Sequence, residues 1–236
     1  FDAEGAWKEV MRTNFAKIDK DTGKVRERED PEYSEVFSIF NKIAKSNVEK
    51  LSEQTTALMK KRDETFRLRV VSLLFDKAIT NHIYASVMAD CALLLSKAFP
   101  EVLEDLVIQV GMFDKLYDMN NTITYSESTV IEWTKQKEKR RGYAKFVSEL
   151  YMKGLIEETL VQNGLGEVLS EIQTLQGVPS TEQVEENIHQ CAVFLYETAK
   201  LLKKCDVLKQ GVGTILKNKL PMKTKFKMED ALKLLS

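Results

Sequence analysis

Residues 73–95, LLFDKAITNHIYASVMADCALLL, limit the possible folds of this chain more than any other stretch. Together with Phe66, Leu68, Val70 and Val71 just ahead of it, Leu73, Leu74, Phe75, Ala78 and Ile79 supply apolar side chains too densely for a helix with one narrow buried stripe. Such a helix is buried on several sides. Asn81 and His82 interrupt it, because a short polar side chain competes with the helix backbone for hydrogen bonds. Ile83, Tyr84, Val87, Met88, Cys91, Leu94 and Leu95 then recover helical spacing. The pattern predicts an antiparallel helical hairpin. Each of its helices keeps a second apolar face that only a neighbouring hairpin can cover.

The rest of the chain is composed to supply such neighbours. At 236 residues, 43% apolar and with only ten glycines and four prolines, it is too apolar for disorder and too poor in turn formers for short strands. An all-α chain with long helices and short connections is expected. Cys91, Cys191 and Cys205 are odd in number and lack a Cys-x-x-Cys spacing, which argues against a disulfide framework or structural zinc and for a reducing, cytoplasmic setting. No apolar run reaches the roughly 18–20 residues of a membrane span, and no signal peptide is visible. Because the chain starts at Phe1, it reads as an excised fragment without a membrane partner.

In chain order, residues 1–31 read as an arm and linker, and residues 32–236 as a helical-repeat domain. Trp7 on the arm is a large aromatic in polar surroundings and needs a surface, either on this domain or on a partner. Helices are expected over 32–44 and over 47–61 with Asn47 as cap. The hairpin follows over 63–99, then helices over 101–119 and 126–151, the latter with Gly142 as a possible break. A shorter pair is placed at 155–162 and 165–175 around Gly164. Ser180-Thr-Glu-Gln183 has capping-box spacing for a helix to 204, and helices over 206–219 and 226–235 complete the chain. This makes about ten helices in five antiparallel pairs, a period that suits stacked helical repeats.

A net charge of −1 conceals strong polarity along the sequence. Seven carboxylates and no Lys or Arg lie between 157 and 186, whereas ten lysines face three carboxylates from 200 to 236. Lys135, Lys137, Lys139, Arg140 and Arg141 form a second basic knot. Such asymmetry suits docking on charged partners or on phosphate, or simply the solvated outer faces of long helices. Catalytic patterns are missing. His82 and His189 are the only histidines, His189 and Cys191 are two apart and point in different directions on a helix, and neither Gly164-Leu-Gly166 nor Gly211-Val-Gly213 has the lysine of a phosphate loop. Neither an enzyme nor a cofactor or metal site is expected.

Five segments run in the order of a known family. Ser38-Ile-Phe-Asn-Lys-Ile43 resembles its Ser-Ile-Leu-Asn-Lys-Leu, and Leu74-Phe-Asp-Lys-Ala-Ile-Thr80 resembles its Ile-Phe-Glu-Lys-Ala-Ile-Ser. Arg140-Arg-Gly-Tyr-Ala-Lys-Phe-Val-Ser-Glu-Leu150 is similar to its Arg-Arg, Gly-Asn-Ile-Lys-Phe-Ile-Gly-Glu-Leu run. Lys225-Phe-Lys-Met-Glu-Asp230 is similar to its closing Arg-Phe-Met-Leu-Gln-Asp, and Ala6-Trp-Lys8 to the Ala-Trp-Lys of its arm. The family is the middle domain of eukaryotic translation initiation factor 4 gamma.

The resemblance implies a right-handed α-solenoid of about five HEAT-like helix pairs. It also implies a scaffold that binds the DEAD-box RNA helicase initiation factor 4A, holds it half-closed and speeds its ATP cycle, with auxiliary RNA binding and further initiation factors as partners of other regions of the protein. Carried over by position, the helicase-binding residues fall on Trp7, Phe40, Asn41, Ile43, Val48, Lys225 and Phe226. From the charge pattern, Lys135, Lys137, Lys139, Arg140 and Arg141, with the Lys-rich end, are the expected phosphate track for RNA. The chain departs from the family where Thr-Pro becomes Ala44-Lys45 and where a Phe becomes Val48. An RNA-binding module, or an adaptor of mRNA processing or decay built on the same domain, that does not stimulate the helicase is the alternative. Tyr196-Glu-Thr-Ala-Lys-Leu-Leu202 fits the Tyr-x4-Leu pattern of cap-binding-protein ligands, but its place inside a helix reads as packing.

Overall fold

The computed structural model describes residues 30–236; Trp7 and the rest of the arm lie outside the described residues. Among the described residues there are ten α-helices and no strand. They are α1 (Pro31–Lys42), α2 (Val48–Met59), α3 (Glu64–Thr80), α4 (Ala85–Ala98), α5 (Val102–Met112), α6 (Val130–Met152), α7 (Glu158–Gln176), α8 (Glu182–Leu201), α9 (Asp206–Leu216) and α10 (Met222–Leu234). They pair in order as an α-solenoid. The second helices α2, α4, α6, α8 and α10 pack in succession as one row. In the other row, α1 packs on α3, α3 on α5, the 3₁₀ turn Asp114–Tyr117 on α7, and α7 on α9.

Local chemistry sets the boundaries. Asp30 caps α1 by accepting from the backbone N–H of Glu32 and Tyr33, and Pro31 occupies the first helical turn, where its missing N–H costs nothing. Arg62, just past α2, closes the first pair by bonding Asp30 at 2.6 Å and Glu32 at 2.7 Å. Asn47 precedes α2 without capping it. Its amide donates to Lys42 O at 3.0 Å and its carbonyl accepts from Ala44 N at 2.7 Å, so it satisfies the end of α1 instead. Thr181, not Ser180, caps α8 by accepting from Val184 N, while Ser180 donates to Glu185.

The central hairpin forms as expected, with Asn81 capping a 3₁₀ turn (His82–Tyr84) and the chain bending by 116° between its two helices. Both helices are packed on several sides: Val70, Val71, Phe75, Ala78 and Ile79 of α3 and Met88, Cys91, Ala92 and Leu95 of α4 have no exposed surface. Phe75 is the hub. It stacks on Phe113 at 5.2 Å and meets Phe146 of α6 edge-on at 5.1 Å, so one aromatic cluster joins the second and third pairs. Tyr117 meets Phe194 at 4.9 Å and links the third pair to the fourth.

Two expected breaks are differently placed. Residues 155–175 do not form a short pair around Gly164. Val161, Leu165, Val168 and Ile172 keep one buried stripe through both glycines, and α7 runs unbroken. Likewise α6 passes straight through Gly142 and stops at Gly154, whose φ of +70° allows Leu155 N–H to reach back to Leu150 O. The helix expected over 101–119 ends at Met112, and two 3₁₀ turns carry the chain on to residue 121.

Candidate partner-binding surface

At the first end of the solenoid, α1 divides its side chains between core and solvent. Phe40, Ile43 and Val48 are buried, at 1%, 3% and 8% exposure, so the expectation that they offer a docking surface is corrected: they hold the first pair together. Asn41 is exposed and accepts from Lys77 Nζ of α3 at 2.8 Å. That same ammonium lies 4.5 Å from the Tyr84 ring. Phe37, one turn before Asn41 on the same helix face, is 53% exposed, and Ile83 beside Tyr84 is 70% exposed. The outward aromatic of the Ser38–Ile43 neighbourhood is therefore Phe37. Its signal in the sequence was its place off the Val36, Ile39, Phe40, Ile43 stripe.

The far end presents a second apolar patch. Phe226 on α10 is 57% exposed, Met222 one turn earlier is 66% exposed, and Lys225 stands between them in sequence, also exposed. Tyr196 lies inside α8 and takes the ammonium of Lys227 at 4.4 Å over its ring and that of Lys200 at 5.1 Å, so its neighbourhood is packing between α8 and α10.

The basic knot on α6 is largely committed within the protein. Arg140, only 2% exposed, is no phosphate contact. Its Nε donates to Leu116 O at 2.7 Å, and its other nitrogens donate to Thr122 Oγ1 at 3.0 Å and to Gln190 Oε1. Burial alone lowers its pKa. Arg141 Nε bonds Glu197 at 2.8 Å, Lys137 Nζ bonds Glu186 at 2.9 Å, and Lys139 lies over the Phe113 ring at 5.1 Å. Lys135 is exposed. Glu197 is almost sealed; burial works to raise its carboxyl, but the Lys200 hydrogen bond and charge, with Arg141, outweigh it and hold the pKa below the usual carboxylate range.

The thiol of Cys191 is fully buried and pushed up by that burial, and among the described residues no group of three His, Cys, Asp or Glu could hold a metal ion. No single helix among them is long and apolar enough to cross a membrane. His189 is buried and within 3.1 Å of Thr224 Oγ1. Burial, then the charge of Lys223, lower its pKa from 6.5 to about 4. The folded chain thus keeps it neutral where the unfolded chain protonates it. Stability is full above pH 6.5 and falls as the pH drops towards 4, by about 2–3 kcal/mol from this residue. Urea unfolding at pH 7 and pH 4.5 should show this loss, and His189→Asn should remove that share of it.

A profile of the MIF4G domain family matches residues 34–236. A eukaryotic translation initiation factor 4G of Cucumis melo is 24% identical over 190 aligned residues, covering 72% of this chain. The chain spans 10% of that relative's length. Among solved structures, the MIF4G domain of Trypanosoma cruzi translation initiation factor EIF4G5 superposes with a TM-score of 0.56 at 13% identity, covering 87% of this chain and 95% of that one. This likeness is one of fold. On the family match over nearly all of its helices, the chain belongs to the MIF4G domain family.

Proposed function

We propose that this domain is a translation-initiation scaffold, acting in the cytoplasm, that binds the DEAD-box helicase initiation factor 4A and stimulates its ATPase by favouring the half-closed arrangement of its two lobes. The observation that carries this reading is the placement of exposed apolar side chains on the first and last helix pairs, Phe37 beside the polar Asn41 on α1 and Met222 with Phe226 on α10. Between them lies a continuously packed row of helices. A stiff body with a grip at each end fixes the separation of whatever it holds. A preference of ~1.4 kcal/mol for one conformer shifts its equilibrium ratio about tenfold. Trp7 on the arm is assigned to the helicase contact as well, and Lys225 stands in the second grip. Phe40, Ile43 and Val48 support the first grip from beneath.

RNA binding is auxiliary in this reading. Its phosphate contacts come from Lys135 and from the exposed lysines of the last pair, such as Lys223 and Lys225, since Lys137, Arg140 and Arg141 are held by internal partners. Binding is tested by titrating labelled domain with purified helicase. Phe226→Asp and Phe37→Asp should each weaken binding at least tenfold with helical content unchanged. Unchanged affinity in both variants would reject the two-grip arrangement.

A further inference from the structure

A groove of about 670 Å³ opens between the segment 124–133, the start of α8 and the start of α10, where Pro221, Lys223 and Thr224 border the second proposed grip. One wall is aromatic. Tyr125, 59% exposed, meets Trp133 edge-on at 5.1 Å. Another wall is acidic, with Glu182, Glu185 and Glu186, against the single lysine Lys223 among the lining residues. The protein already demonstrates what such walls hold. Lys137 places its ammonium 3.9 Å over the Trp133 ring and 2.9 Å from Glu186, a cation bound by a ring face and a carboxylate together. Tyr125 with the exposed Glu182 and Glu185 offers the same kinds of group; Glu185 accepts from Ser180 Oγ at 2.7 Å, and neither carboxylate is in an ion pair among the described residues.

We propose that this groove binds an arginine-bearing peptide segment of a partner protein, the guanidinium against Tyr125 and between the Glu182 and Glu185 carboxylates. Charge complementarity decides the occupant. Three carboxylates repel a phosphate backbone, while a planar guanidinium both stacks on an aromatic ring and forks onto a carboxylate. The edge-on Tyr125–Trp133 pair leaves no parallel slot between the two rings in which a flat base could be sandwiched.

The test uses the full chain and a fluorescein-labelled peptide, Gly-Arg-Gly-Arg-Gly, followed by anisotropy, with the citrulline peptide of the same length as the uncharged control. The arginine peptide should bind at least tenfold tighter than the citrulline peptide. Tyr125→Ala and the double variant Glu182→Gln/Glu185→Gln should each weaken it about tenfold at an unchanged melting temperature. Glu49→Gln/Glu53→Gln, on the remote α2, should leave it unchanged. Equal binding of the two peptides, or equal binding by the Tyr125 and Glu182/Glu185 variants, would overturn the proposal. So would displacement of the peptide by 7-methylguanosine triphosphate or oligouridine at lower concentration than by unlabelled peptide, which would assign the groove to nucleotides.

Discussion

Gly142→Ala is expected to cost about 3 kcal/mol or more of stability. A Cβ at Gly142 would lie 2.0 Å from Ile79 O and 2.8 Å from Ile79 Cα, inside the backbone of α3. No rotamer change can relieve a collision with main chain. Either α6 withdraws from α3, opening the aromatic cluster of Phe75, Tyr143 and Phe146, or the end of α3 distorts. The contrast is Gly166→Ala within α7, where a Cβ would meet nothing within 4 Å. There the gain in helix propensity should stabilise by about 0.5–1 kcal/mol. Urea unfolding of both variants beside the parent measures the difference directly. Equal midpoints for the two would mean that the close approach of α6 to α3 does not exist.

Arg140→Ala is expected to cost about 3–5 kcal/mol, as loss of a buried charged group leaves its partners stranded. Leu116 O, Thr122 Oγ1 and Gln190 Oε1 would all lose a donor, and these lie on three segments: the turn after α5, the loop before α6, and α8. Tyr117 donates in turn to the carbonyl of Arg140 itself, so the third and fourth pairs meet around this one residue. Lysine would keep the charge without the fork that reaches three acceptors, and Arg140→Lys should recover only part of the loss. RNA affinity of whatever remains folded should be unaltered by Arg140→Lys, whereas Lys135→Ala should lower both affinity and its salt dependence. Chemical denaturation with a parallel RNA titration checks both halves. A stable Arg140→Ala domain with weakened RNA binding would return this residue to the surface.

How much of this could be read from the sequence depends on what kind of force sets each feature. The hairpin over 63–99 was legible because burial on several sides writes a dense apolar code that no exposed helix can carry. The all-helical pairing followed from it. Glycines were ambiguous: Gly142 and Gly164 read as breaks, yet one is a close crossing of two helices and the other an ordinary position in α7, and only Gly154 needs a left-handed backbone. Composition cannot separate these three uses. Asn47 looked like a cap for the helix that follows it, and its side chain instead serves the helix before it, which depends on the direction the chain turns.

The surface was less legible than the core. Phe37 and Phe40 are both phenylalanines on α1, three residues apart, and which one faces solvent is decided by where α3 lies. The carried-over contact positions Phe40, Ile43 and Val48 therefore fell on the buried side. Arg140 and Arg141 are neighbours in one basic run, yet one is sealed among carbonyls and the other reaches the buried Glu197. A run of charge shows that cations are present. It does not show which are already paired.

ATP turnover by a purified initiation factor 4A, in the presence of RNA and a saturating amount of this domain, tests the central claim most directly. A two-ended spacer that favours the half-closed helicase should raise turnover severalfold, and Phe226→Asp should abolish that rise at concentrations where the first pair still binds. A domain that binds the helicase tightly and leaves turnover unchanged, or that stimulates equally with Phe226→Asp, would contradict it.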